Sequence, residues 1–180
     1  VTQLLSFVRP KPAMIAPVLL DDLLHWCSSM LKAQAEKHGI ELITRQLDRG
    51  VTVMADNEML QQLLMNLSLN AIQAMSIAES GRRKILLITT GYSDHRHGTS
   101  KRGLLTVRDS GPGIPSEIQH RIFDPFFTTR KDGTGLGLSI VQRIIEGHRA
   151  DFSMESSPAG TTFKIFLPLD TALPEGERSV

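Results

Sequence analysis

The sequence is short of several features that would point to particular classes of protein. It contains one cysteine, Cys27, so it can form no internal disulfide and no cysteine-based zinc site. The net charge of +1 gives no electrostatic footprint for nucleic acid or an anionic membrane. No apolar run approaches the ~18 residues that cross a bilayer. With 41% hydrophobic and 22% charged residues, the 180-residue chain has the composition of one globular domain, and the lone thiol fits a reducing, cytoplasmic setting.

The two ends of the chain read differently from its middle. The first residues have neither the basic nor the apolar segment of a signal peptide, so we expect them to continue a preceding element. Residues 1–9 resemble the end of a helix that Pro10 and Pro12 stop. The domain itself is expected over 10–168, and the polar segment 169–180 is expected to be a flexible tail.

Three stretches have the apolar period of long helices. The first is predicted to start from a cap at Asp21 or Asp22 and to run to about His38, where Gly39 closes it. The second is apolar around most of its circumference, as in a buried helix. The second and third are expected at 57–78 and 136–146, with one brief helical turn at 115–121.

Short β-branched segments predict the strands, at 13–18, 40–47, 51–55, 84–90, 103–109, 152–156 and 161–167. Residues 40–47 and 51–55 flank Asp48-Arg49-Gly50 and are therefore predicted to pair as a hairpin. The last two strands should form another hairpin, around Pro158 and Gly160. The mixture of helices and hairpins predicts an α+β fold, a two-layer α/β sandwich in which three helices pack on a mixed sheet of about five strands.

Polar residues follow one face of the predicted helix 57–78. Gln62, Asn66, Asn70 and Gln73 are separated by four, four and three residues, so they share a face. An unpaired buried amide costs roughly 1–3 kcal/mol, so these side chains need partners. Neighbouring loops could supply them. Alternatively, the amide oxygens could face a ligand and hydrated Mg²⁺, for which they are suitable hard ligands.

Two glycine-containing segments follow further along the chain. In Asp109-Ser-Gly-Pro-Gly-Ile-Pro115, a carboxylate at a strand end could accept a hydrogen bond from an exocyclic amine such as that of adenine, or it could merely close an Asx turn. Gly133-Thr-Gly-Leu-Gly-Leu-Ser139 opens the helix at 136–146. Backbone N–H groups there would bind phosphate, and the alternative is a flexible hinge. Neither segment has the spacing of a P-loop or a dinucleotide fingerprint.

In this order, the three segments resemble the histidine-kinase branch of the superfamily that also holds gyrase, the ninety-kilodalton heat-shock chaperone and MutL. The N box is similar to residues 56–75, the G1 box to 109–115, the F box to 122–129 and the G2 box to 133–138. Phe126-Phe-Thr-Thr129 and Arg9-Pro10 look most like nitrogen-regulation-type sensor kinases. The resemblance implies the ATP-binding catalytic domain of a two-component sensor histidine kinase, with the GHKL fold.

The resemblance also implies roles for individual residues. Asn70 would ligate Mg²⁺, with Asn66 beside it at the phosphates, and these two are the implied catalytic residues. Gln73 would lie near the phosphates, and Asp109 would bind the adenine amine. The remaining implied ATP contacts are Gly111, Gly113, Ile114 and Thr161 around the base, Thr128, Thr129, Arg130 and Lys131 in a lid, and Gly133, Thr134, Gly135, Leu136, Gly137 and Leu138 around the phosphates.

Asn66 favours a kinase over an ATPase. ATPases of this superfamily carry a glutamate at that position as the general base for water, and an amide cannot take a proton. A kinase would instead hold water away and present the γ-phosphate to an imidazole, by positioning and charge neutralisation.

The phosphoacceptor histidine is not evident in the chain. None of the six histidines is followed by the acidic residue of the family's acceptor box. His25, His38 and His120 are interpreted as surface or helix-end residues, and His95 and His97 as solvated loop residues. His148-Arg-Ala departs from the family's usual His-Gly-Gly turn.

The resemblance implies several partners. The acceptor should lie in an upstream dimerisation domain of the same protein, and the phosphate should pass to a response-regulator receiver domain. We expect the isolated domain to be a monomer, the full-length protein a homodimer, and no nucleic acid to bind. Two alternatives remain at this point: a nucleotide-binding interaction module that has lost transfer, and an ATP-hydrolysing clamp.

Overall fold

The computed structural model describes residues 13–77, 83–94, 101–130 and 133–170. Several predicted features lie outside the described residues: the helix end at 1–9, the loop histidines His95 and His97, the lid residue Lys131 and most of the predicted tail. Within the described ranges, no helix combines the length and apolar character needed to cross a membrane.

Three long helices form one layer of the fold: α1 at Leu20–Lys37, α2 at Asn57–Ser76 and α3 at Gly137–Gly147. Their buried aliphatic faces pack on the sheet, with Leu60, Leu63, Leu64 and Leu67 of α2 at most 1% exposed. Asp56 caps α2, because its Oδ1 accepts a hydrogen bond from the Met59 N–H at 3.2 Å. Gly39 closes α1 with a φ of +64°, as its position after the helix predicts.

The predicted cap of α1 is wrong. The helix starts at Leu20, and the residue before it, Leu19, has an extended backbone and no side-chain cap. Asp21 and Asp22 lie inside the first turn, where negative charge still complements the helix dipole. The Oδ2 atom of Asp21 accepts a hydrogen bond from the Gly50 N–H at 3.2 Å, which ties α1 to the loop before the next strand.

The main sheet has five strands in the order β2-β4-β5-β7-β6. They are β2 at Glu41–Gln46, β4 at Ile85–Asp94, β5 at Lys101–Asp109, β6 at Asp151–Ser157 and β7 at Gly160–Leu167. Only β2 and β4 are parallel; the other three pairings are antiparallel. A mixed five-stranded sheet under three helices confirms the predicted α+β sandwich, and β6–β7 confirm the predicted second hairpin.

The predicted hairpin between residues 40–47 and 51–55 is wrong. Strand β3, at Thr52–Ala55, pairs antiparallel with β1, at Ala16–Leu19, in a separate two-stranded sheet. The turn at Asp48-Arg49-Gly50 exists, with Gly50 at a φ of +70°. However, Leu47 N–H donates to the Thr90 carbonyl and Tyr92 N–H donates to Asp48, so the chain stays beside β4 instead of folding back on β2.

The small sheet packs closely against the main sheet at Gly103. A side chain on Gly103, in β5, would overlap the Cγ1 atom of Val53, so only glycine lets the two layers touch there. The second edge of β3 is occupied by residues 168–170, through hydrogen bonds between Met54 and Pro168 and between Asp170 and Thr52.

Candidate functional site

The two asparagines of α2 face the start of α3. A Cβ atom added to Gly137 would lie 3.5 Å from Asn70 Nδ2 and 3.8 Å from Asn66 Oδ1. Asn66 Nδ2 is buried and has no hydrogen-bond partner among the described residues. Because such an unpaired donor costs roughly 1–3 kcal/mol, the amide pair suits a polar partner that those residues do not supply. Gln62 is half-buried on the same face, whereas Gln73 is exposed.

The first turn of α3 offers backbone donors beside these amides. Leu136, the residue before α3, makes no side-chain capping hydrogen bond within the described chain. The N–H groups in the first turn of α3 therefore have no cap from this residue. Gly137 has no side chain to screen them, and Thr134 Oγ1 accepts the Leu136 N–H at 3.4 Å. Uncapped helix N-termini bind anions. The Leu136 side chain is part of the core, 3% exposed, so only its backbone can face a ligand, whereas Leu138 is half-buried against the core.

The loop before α3 is closed at its base by two residues with positive φ. Phe126, at +67°, donates its N–H to the Gly135 carbonyl at 2.9 Å, and Gly135 is also at +67°. A side chain on Gly135 would overlap the Phe126 carbonyl group, and one on Gly133 would overlap Thr128 Oγ1. Thr128 Oγ1 accepts the Arg130 N–H at 3.1 Å. The predicted lid residues Thr128, Thr129 and Arg130 are therefore exposed on a loop with a fixed base.

Asp109 lies at the end of β5 and is 8% exposed. Its Oδ1 atom accepts hydrogen bonds from the Gly111 N–H at 2.8 Å and the Thr161 N–H at 3.3 Å. The bond to Gly111 is the predicted Asx turn. Oδ2 accepts no hydrogen bond from the described residues, so the turn leaves this second oxygen unoccupied by them. Burial raises the pKa of the carboxyl group, although the two N–H donors oppose that shift.

The turn after Asp109 is fixed against the β6–β7 hairpin. Gly113 has a φ of +77°, and a side chain there would overlap the Ser157 carbonyl oxygen. Ile114 N–H donates to Ser156 Oγ at 2.8 Å, and Ser156 Oγ lies 2.9 Å from Thr161 Oγ1. The structure thus brings together the predicted residues Asp109, Gly111, Gly113, Ile114 and Thr161. Sequence analysis missed Ser156, because a serine in a strand gives no signal of its partner.

His148 was also missed, and it is not a surface residue. It follows α3, is 4% exposed, and accepts a hydrogen bond from the Asp56 N–H at the start of α2. The next residue, Arg149, has a φ of +50°, at the position where the sequence departs from His-Gly-Gly. His25 and His120 are exposed and His38 ends α1, as predicted.

The fold places three helices on a mixed sheet. Together with the paired amides, the glycine at the start of α3 and the buried carboxylate at the end of β5, it is typical of one class of ATP-binding domain. Residues 55–171 match the family described as "Histidine kinase-, DNA gyrase B-, and HSP90-like ATPase". The chain belongs to this family. Its relatives place it with the catalytic, ATP-binding domains of bacterial sensor histidine kinases, which confirms the predicted class.

Among those relatives, the signal transduction histidine-protein kinase AtoS of Escherichia coli K12 is 37% identical over all of this chain, which spans 28% of AtoS. The catalytic domain of the histidine kinase ThkA superposes with a TM-score of 0.71 at 29% identity, covering 86% of this chain and 95% of that domain. Full-length ShkA in complex with AMPPNP gives a TM-score of 0.79 at 27% identity, covering 96% of this chain and 36% of ShkA. ThkA has also been solved in complex with the response regulator protein TrrA.

Proposed function

We propose that this domain binds Mg-ATP and transfers the γ-phosphate to a histidine on a separate helical domain of the same protein. One observation carries the proposal: Asn66 and Asn70 lie against Gly137 at the uncapped start of α3, and Asn66 Nδ2 is buried without a partner among the described residues. Amide groups and helix N–H donors at one place are what a triphosphate with its cation needs.

The adenine would bind nearer the C-terminal end of α2, where Gly111 lies beside Ala74 and Met75. Asp109 Oδ2 would accept a hydrogen bond from the exocyclic amine, because Oδ1 is already taken by Gly111 and Thr161. A side chain on Gly111 would crowd this carboxylate, since its Cβ atom would lie 2.9 Å from Asp109 Oδ1 and 3.4 Å from Met75 Cγ. Gly113, Ile114 and Thr161 would complete the pocket wall: Gly113 packs against Ser157, Ile114 N–H donates to Ser156 Oγ, and Thr161 belongs to the hairpin itself.

Asn70 would ligate Mg²⁺, and Asn66 would lie beside it at the phosphates. The described residues contain no cluster of three or more His, Cys, Asp or Glu side chains that could bind a metal, so the ion would be held by amide and phosphate oxygens. When bound, Mg²⁺ neutralises charge on the phosphates. The remaining phosphate charge would be neutralised and enclosed by other groups of the site. These are the N–H groups of Gly137 and Leu138, the loop of Gly133, Thr134, Gly135 and Leu136, and the lid residues Thr128 to Lys131 together with Gln73.

Transfer then needs position more than acid–base chemistry. An imidazole nitrogen of the acceptor forms the new bond to phosphorus as the bond to the bridging oxygen breaks, and ADP leaves. Asn66 cannot accept a proton, so no side chain at this position activates water for the competing hydrolysis. The domain would hold the γ-phosphate at the open side of the lid for the incoming histidine.

The remaining proposals concern the whole protein. Residues 1–9 would end the helix of the dimerisation and phosphoacceptor domain, and the catalytic domain would extend from residue 10 to residue 170. The predicted boundary at 168 is too early, because Leu169 and Asp170 pair with β3. The full-length protein would be a homodimer whose catalytic domain works in the cytoplasm, with or without a membrane anchor. A response-regulator receiver domain would take the phosphate, as the complex of ThkA with TrrA suggests.

Calorimetric titration of the 180-residue chain with AMPPNP, with and without Mg²⁺, tests the proposed binding. We expect micromolar affinity with Mg²⁺, a large loss in EDTA, and a similar loss in Asn70→Ala. The control Gln61→Ala changes an amide of α2 that lies away from the stripe and should bind normally. If the wild-type chain shows no Mg²⁺-dependent binding, the proposal is wrong.

A second experiment separates kinase from clamp and from interaction module. Adding the helical domain encoded upstream should give acid-labile phosphate on that domain, while the chain alone should release little inorganic phosphate. Steady phosphate release by the wild type would favour a hydrolysing clamp, and binding without transfer would favour an interaction module. Asn66→Glu restores the ATPase residue, so an increase in its phosphate release would support the argument from the missing base.

A further inference from the structure

His148 connects the C-terminal end of α3 to the N-terminal end of α2. Its Nδ1 atom lies 2.7 Å from the carbonyl oxygen of Ile144, and its Nε2 atom lies 2.8 Å from the backbone nitrogen of Asp56. A carbonyl can only accept and an amide N–H can only donate. The ring is therefore neutral, with its proton on Nδ1 and its Nε2 lone pair directed at Asp56.

The Asp56 N–H lies at the start of α2 and has no partner within the helix backbone. In a capping box, a Glu or Gln at the third helical position reaches back to the N–H of the cap residue. Here the third position is Met59, which has no acceptor for that purpose, and the Asp56 carboxylate is occupied by the N–H groups of Met59 and Met14. His148 therefore supplies the missing acceptor from another helix.

The opposite end of the same helix pair is the phosphate side of the site. α3 runs antiparallel to α2, because Gly137 lies against Asn66 and Asn70 while His148 lies against Asp56. α3 is 11 residues long, which corresponds to about 16 Å. The hydrogen bond at Asp56 and the contact at the asparagines thus hold α3 on α2 at both ends, and a shift at one end moves the other.

We propose that His148 is a positioning residue for phosphate binding. By accepting the Asp56 N–H, it fixes the axial register of α3 on α2, and with it the place of the first turn of α3 beside Asn66 and Asn70. This inference rests on the proposed function, since it concerns how the site for the triphosphate is held. His148 itself does not touch the nucleotide.

Two substitutions divide the two hydrogen bonds of His148. In His148→Gln, the amide oxygen can reach the position of Nε2 and accept the Asp56 N–H. In His148→Asn, the shorter amide reaches only the position of Nδ1 and keeps the bond to Ile144. At a temperature where circular dichroism shows every variant folded, we expect the Asn variant to bind Mg-AMPPNP about five- to tenfold more weakly, and the Gln variant to stay within about threefold of the wild type.

Ile40→Val serves as the control for stability. Ile40 is buried between α1 and β2, so the smaller side chain should lower the melting temperature without changing the contact between α2 and α3. Its affinity should match the wild type. The inference is overturned if His148→Asn binds as tightly as the wild type, or if Ile40→Val weakens binding equally. Failure of the wild type to bind at all would instead overturn the proposed function, and this inference with it.

If neither His148 variant folds, the wild type still provides a test. Linkage requires that a ligand whose binding depends on this hydrogen bond also changes the bond. Saturating a ¹⁵N-labelled sample with Mg-AMPPNP should therefore shift the His148 Nε2 and Asp56 amide signals, although both lie at the far end of α3. Unchanged signals in a sample shown to bind would contradict the inference.

Discussion

In the proposed site, the buried carboxylate of Asp109 would have two tasks: Oδ1 closes the turn, and Oδ2 would accept the adenine amine. Asp109→Asn should keep the turn, because the amide oxygen can still accept from Gly111, but it presents an NH₂ group where adenine also has a donor. We expect AMPPNP affinity to fall at least about tenfold, the equivalent of one lost charged hydrogen bond, with little change in melting temperature. The exposed Asp124→Asn is the calorimetric control, and equal losses in both would contradict the assignment.

The raised pKa of Asp109 predicts two pH effects of opposite sign. As the pH falls, Asp109 takes up a proton in the folded chain before it does so in the unfolded chain. The ionised, buried carboxylate lowers the free energy of unfolding, so acid removes this loss, and the loss returns as the pH rises through the folded pKa. Binding needs the ionised acceptor, so nucleotide affinity should fall over the same range. Affinity measured against pH should show this step in the wild type and not in Asp109→Asn; a step retained by the variant would assign it to another group.

Arg149 carries strain that a single substitution should remove. Its φ of +50° is disfavoured for any residue with a Cβ atom, and its side chain is exposed. Arg149→Gly should raise the free energy of unfolding by about 0.5–1 kcal/mol, measured by urea denaturation. The same change at Arg143, inside α3, should lower it by about 1 kcal/mol. A loss at both positions would mean that Arg149 makes a compensating contact.

At the scale of elements, the turn that carries Asp109 depends on one glycine of the β6–β7 hairpin, Gly160. Gly160, at a φ of +134°, would overlap the Asp109 carbonyl oxygen with any side chain, whereas Gly39, at +64°, has no atom within 4 Å of such a group. Gly39→Ala should therefore cost only the backbone penalty, about 1 kcal/mol, and Gly160→Ala at least about 2 kcal/mol more. Thermal unfolding of the two variants separates strain from overlap; equal costs would refute the close packing of turn and hairpin.

The elements also show how far sequence could predict this fold. Helix periods, strand patterns and the order of the glycine segments are local signals, and they located all three helices and the residues that gather around Asp109 and Gly137. Strand pairing is not local. The turn residues at Asp48-Arg49-Gly50 suit a hairpin, yet β2 and β3 do not pair with each other. β2 pairs with β4, from which β3 and α2 separate it in the chain, and β3 pairs with β1. His148 escaped prediction for the same reason, because its partner Asp56 is 92 residues away.

For the whole molecule, nucleotide binding should appear as thermal stabilisation. A ligand at about a hundred times its dissociation constant adds about 2.7 kcal/mol, and for a domain of this size each kcal/mol raises the melting temperature by roughly 2–4 °C. Mg-AMPPNP should therefore raise it by about 5–10 °C in differential scanning fluorimetry. The rise should vanish in EDTA and in Asn70→Ala; a shift that survives both would indicate binding elsewhere.

The two ends of the described chain meet on β3. β1 occupies one edge of that strand and residues 168–170 occupy the other, so the chain arrives and departs about 10 Å apart, two strand spacings. A domain whose ends are neighbours can be inserted between other domains, exchanged among them or circularly permuted with little disturbance to its interior. This arrangement allows the domain to be joined to different neighbouring domains in a longer polypeptide while the proposed nucleotide site stays the same.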